Sequence, residues 1–252
     1  MRFAFVLFSS FALTHFAKPS FPVTLSKDKV PFDSLRSVRF LNNSSIQQLP
    51  SIVKDLSAAL DQSTFKSKGL LDNDKLAIYL YDVYSKRFDT SAAVRYQPDN
   101  HMYYLKINSL NKNATDKALA VTLIHELMHC ILMDIDKNAR KGDRGALAMV
   151  KDFDSIVNRR SPGAPYSFFM LMNTGESGQH ELMFRLFFKD MILLLKQFAS
   201  LHNTVFFDAK EPEYLLWSGL QHTREYQKLS YDQRREIEIS IFQAKGIAVS
   251  DE

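Results

Sequence analysis

Cysteine and tryptophan occur once each in this 252-residue chain, as Cys130 and Trp217. A single thiol excludes an intrachain disulfide and any zinc ribbon or finger built on paired cysteines. Glycine and proline are scarce, at eight each, so neither a collagen-like repeat nor a disorder-dominated chain fits. No internal repeat or low-complexity tract is present. Charge lacks a dominant sign: 32 basic against 28 acidic residues leave a net +4. The basic clusters Lys137 to Arg144 and Arg224 to Arg235 are interleaved with acids and polar residues, as on solvated faces rather than nucleic-acid grooves. Two apolar runs do not read as transmembrane anchors. Phe3 to Leu13 is too short, and Met183 to Leu193 is broken by Arg185, Lys189 and Asp190. What the chain does have is a 46% hydrophobic composition, enough for one sizeable core.

The N-terminus reads as a secretory signal over residues 1–17. Met1-Arg2 precedes the apolar run, and the small residues Ala12 and Ala17 offer a cleavage site. A secreted or periplasmic protein is expected, with a cytoplasmic one as the alternative. No cysteine follows the run, so a lipoprotein anchor is excluded. Residues 18–44, with Pro19, Pro22 and Pro31, read as an extended lead-in to a single domain over 45–252.

Within that domain, Leu49, Ile52, Val53, Leu56 and Leu60 recur at helical spacing, with Pro50 suited to the first turn. Leu76 to Val83, Ala92 to Tyr96 and Met102 to Ile107 carry strand patterning, the last two joined by a Pro98-Asp99-Asn100 turn. The run Lys117 to Ile135 has no glycine or proline, and Thr115 is placed to cap it. Ser177 can cap a further helix over Gly178 to Ser200, and closing helices are expected at Tyr214 to Leu220 and Ser230 to Ala244. The fold class is α+β: a small, mostly antiparallel sheet packed on a central helix, then a mainly helical C-terminal half.

That central helix contains His125-Glu126-Leu127-Met128-His129, an H-E-x-x-H pattern. Histidines at i and i+4 share a helix face and can reach one metal ion, and the glutamate between them can polarise a water beside it. Zn2+ is the expected cofactor. A catalytic zinc needs a third protein ligand, and Glu176, His180, Glu181, His202 and His222 are the downstream donors. His180 heads an apolar stripe of Met183, Phe187, Met191, Leu194 and Phe198, so it should point into the core. Glu181 is its rival, though it sits four residues before Arg185, a spacing suited to a surface ion pair. Cys130 is expected to be a buried thiol, and Trp217 and Tyr214 packing residues, with Gly219 allowing a close approach. His222 or a tyrosine could reach the oxyanion.

Leu119 to Leu132, followed by Gln179-His180-Glu181-Leu182-Met183 and Trp217-Ser218-Gly219-Leu220, resembles SprT-like zinc metallopeptidase proteins of Bacteroidetes. Their last motif reads Trp-Gly-Gly-Leu, so this chain departs from it by one serine. The resemblance implies a zincin-like fold, with His125, His129 and His180 as ligands and Glu126 as catalytic base. It implies a metallopeptidase acting on peptide or protein. The strand Met102 to Ile107 would then be the edge that aligns an extended substrate by β-addition. A non-catalytic metal-binding domain is the alternative. A nucleic-acid-associated protease is a third reading, opposed by the dispersed basic residues and the missing zinc ribbon.

Overall fold

The computed structural model describes residues 38–67, 70, 76–84, 92–98, 102–159 and 167–246. The expected signal segment, most of the lead-in, and Asp99 and Asn100 of the expected turn lie outside these residues. In chain order the elements begin with β1 (Val38–Asn42), α1 (Leu49–Asp61), the single turn α2 (Thr64–Ser67), β2 (Leu76–Val83), β3 (Ala92–Gln97) and β4 (Met102–Asn108). The helical half follows as α3 (Asp116–Arg140), α4 (Arg144–Arg159), α5 (Phe168–Asn173), α6 (Glu176–Leu182), α7 (Phe188–Leu201), α8 (Glu211–Leu216), α9 (Arg224–Gln227) and α10 (Tyr231–Ala244). The chain is thus α+β, as expected.

Among the described residues the sheet has four strands in the order β1-β2-β4-β3. It is mixed rather than mostly antiparallel: β1 with β2 and β2 with β4 run parallel, and only β3 opposes β4. For the β1–β2 pair the physical reason is α1. A helix between two neighbouring strands is a crossover, and a crossover returns the chain in the same direction. The end of the expected lead-in supplies β1, which makes that crossover possible. Nor is β4 an edge. It is hydrogen-bonded on both sides, so its backbone has no free row for a substrate, and the strand beside it at the edge is β3.

Leu76, Ile78 and Leu80 of β2 and Tyr103, Leu105 and Ile107 of β4 alternate onto one buried face. Helices α1 and α3 pack on each other and meet the sheet through β1 and β3. Tyr103 is buried and Tyr104 half-buried, as alternation requires. The Tyr103 hydroxyl donates to Asp134 Oδ1 at 3.2 Å, pinning β4 to α3. By length and composition α3 could cross a membrane, but most of its apolar window is buried inside this fold.

The helix expected over Gly178 to Ser200 is not continuous. Gly175, rather than Ser177, caps α6, and a π turn at Met183–Phe187 separates α6 from α7. The wider turn shifts the phase by about one residue, yet His180, Met183, Phe187, Met191, Leu194 and Phe198 all remain buried. Ser230 caps α10 in a capping box with Gln233.

His202, at the end of α7, joins three helices. Its Nδ1 meets Asp55 Oδ2 of α1 at 2.7 Å, and its Nε2 meets Asp116 Oδ2 of α3 at 3.0 Å. Burial alone would lower its pKa, but hydrogen bonds and charge from the two aspartates outweigh burial and raise it above 6.5. A raised folded pKa means the bridge contributes fully below pH 6.5 and is lost as pH climbs through the higher folded value. Urea unfolding should therefore show wild-type stability falling over that alkaline window. His202→Gln should lack this dependence.

Candidate metal centre

Thr115 caps α3 through Ala118 N and also donates its hydroxyl to Ala244 O, anchoring the start of the helix to the end of α10. From there a regular, buried helix carries His125 and His129 on one face, their ring centroids 5.0 Å apart. The third side chain comes from α6. His180 Nε2 lies 3.1 Å from both His125 Nε2 and His129 Nε2. All three residues are buried, and their donor atoms lie within 4.8 Å of one another. The chain therefore brings together three histidines able to hold one metal ion.

The outer nitrogens show which way these rings are committed. His129 Nδ1 is 2.6 Å from Gln179 Oε1, which can only accept, so Nδ1 carries the proton. That leaves the Nε2 lone pair directed at the cluster. His180 Nδ1 is 2.5 Å from His222 Nε2, and donation from His180 likewise turns its Nε2 lone pair inward. Burial drives the His129 pKa down to about 4, opposed only by the Gln179 bond. Burial, then the His129 and His222 rings, holds His180 at about 2. His125 is also pushed well down, by burial first and then by the neighbouring histidines. With those tautomers, His129 Nε2 and His180 Nε2 are two acceptors 3.1 Å apart, which repel one another unless a cation sits between them. Tetrahedral zinc with bonds of about 2.0–2.1 Å would set its ligand nitrogens roughly 3.3–3.4 Å apart, close to what is seen.

Glu126 is buried beside this cluster. Burial, and then the charge of Glu176, raises its pKa to about 8. Among the described residues it has no hydrogen-bond or ion-pair partner.

The rival donors have other duties. Glu181 accepts from Arg185 Nε at 3.3 Å and from Arg224 N at 2.7 Å. This is not the surface pair that the spacing suggests. Arg185 is only 4% exposed, and Glu225 reaches its other side at 3.4 Å. His202 is held by its two aspartates. His222 stands behind His180, its Nε2 against His180 Nδ1. Cys130 is a free buried thiol outside the cluster. Trp217 is a packing residue, stacked on Phe184 with centroids 5.0 Å apart.

Gln179 was not singled out by sequence, although its place beside His180 on α6 was a signal. Gly219 has a sharper role than easing helix approach. Its φ is +85°, and a Cβ there would stand 2.7 Å from His125 Cε1. The turn after α8 thus presses its backbone onto the His125 ring. Gly219→Ala combines a disfavoured left-handed backbone with displacement of a ligand ring. We expect it to weaken metal affinity about 10–100-fold, as loss of an outer support does, and to lower Tm. Chelator competition and thermal melting of the same samples check both effects.

Compared with protein-family models, curated proteins and solved structures, the chain matches none.

Proposed function

We propose that this chain is a zinc-dependent hydrolase of peptide bonds, with a zincin-like active-site helix. The observation that carries the reading is Glu126: a buried carboxyl without a partner among the described residues, next to three histidines whose ring nitrogens converge. A purely structural tie between α3 and α6 needs the histidines but gains nothing from a buried acid. His125, His129 and His180 would hold the metal. When bound, zinc supplies a Lewis acid that lowers the pKa of water towards ~7 and stabilises negative charge on a carbonyl oxygen. Glu126 then has the role of base, taking the proton of the attacking water and handing it to the leaving amine. A cation held by these neutral histidines would favour the ionised carboxylate that this role requires. Gln179 and His222 keep two ligand rings in their working tautomers, and Gly219 backs the third.

An extended substrate would lie along β3, the edge strand that contacts α3. Hydrogen-exchange protection of 92–97 by a bound peptide would support that placement; protection elsewhere only would sink it. The activity itself is tested with unfolded polypeptide and zinc-loaded chain. Cleavage should stop on chelation and return with zinc. A chain that binds zinc and cleaves nothing would favour the non-catalytic reading.

A further inference from the structure

Glu176 opens α6 and lies four positions before His180, on the same helix face. Its Oε1 stands 3.9 Å from His180 Nε2, the atom directed at the cluster, and its side chain is 72% exposed. The carboxyl therefore hangs at the solvent mouth of the centre. Gly175 precedes it at the cap with φ 73° and ψ −145°, a conformation that essentially only glycine adopts.

From this geometry we propose that Glu176 is the exchangeable fourth ligand of the centre, its carboxylate covering the open position until another ligand displaces it. The proposal rests on the metal-binding part of the reading above and not on peptide hydrolysis. Two oxygen or nitrogen ligands of one tetrahedral zinc lie roughly 3.3–3.5 Å apart. A small rotation of an exposed side chain closes the remaining gap. The alternative, a simple ion pair with His180, fails on chemistry. His180 Nε2 presents a lone pair, and a carboxylate gains nothing beside another acceptor unless a cation lies between them. Among the described residues Glu176 has no other ion-pair partner. Glu181, held by Arg185 and Arg224, is not free to compete for the position.

The test uses the full chain at one pH, comparing wild type with Glu176→Gln. Zinc affinity is measured by chelator competition. Visible absorption of the cobalt-substituted protein is followed during titration with azide, a small anion that seeks an open position. The proposal predicts zinc binding about tenfold weaker in Glu176→Gln. It also predicts that azide alters the cobalt spectrum of the variant at clearly lower concentration than in wild type. Equal affinity and equal azide response would overturn it. So would weaker zinc binding with an unchanged azide response, because that pattern means long-range attraction without ligation. Wild type that binds zinc but cleaves no peptide would sink the hydrolase reading and leave this one standing.

Discussion

Glu126→Gln is expected to reduce peptide cleavage about 10²–10⁴-fold while zinc content stays at the wild-type level. The size follows from the role. Removing a positioned base forfeits general acid–base catalysis, which contributes a factor of this order. Glutamine is nearly isosteric with glutamate, so the packing of α3 is preserved. It also replaces a carboxyl whose pKa burial holds up at about 8. The metal-free variant should therefore become progressively more stable than wild type as pH rises above 4.5. A raised folded pKa means the unsubstituted carboxyl loses stability as pH rises from 4.5 through about 8, a loss the amide does not share. Zinc retained with activity lost identifies Glu126 as the base. Activity retained would remove the residue from the chemistry altogether.

The second large effect separates neighbouring residues. His180→Ala should abolish stoichiometric zinc binding, because two ligands on α3 are left facing a gap where the third nitrogen stood 3.1 Å away. Glu181→Ala should keep its zinc and lose stability instead. It strips one acceptor from Arg185, a cation only 4% exposed, while Glu225 remains. A cost of about 1–3 kcal/mol is expected for the lost hydrogen bonds to a buried charge, read from urea unfolding. Zinc measured by atomic spectroscopy on both purified variants decides the pair.

How far these features could be read from sequence follows from their range along the chain. The H-E-x-x-H helix was legible because helix period, cap and ligand spacing are all local, and Thr115 caps α3 where expected. His180 was legible as the head of an apolar stripe, a pattern that survived the π turn behind it. The sheet was less so. Val38–Asn42 looked like lead-in because only its pairing with β2, across α1, makes it a strand of the core. Likewise i,i+4 spacing announced the Glu181–Arg185 pair but not its burial, which depends on Glu225 arriving from 40 residues away. The supports of the histidines are equally non-local. Gln179 meets His129 across 50 positions and His222 meets His180 across 42. Gly219 touches His125 only because the turn after α8 folds back onto α3.

The central claim is that His125, His129 and His180 together hold one zinc. Zinc-edge X-ray absorption of the zinc-loaded chain tests it most directly. The account predicts three imidazole nitrogens at about 2.0–2.1 Å, with no sulfur, and disruption of that shell in His180→Ala. A sulfur ligand, or an imidazole count that His180→Ala leaves unchanged, would contradict it.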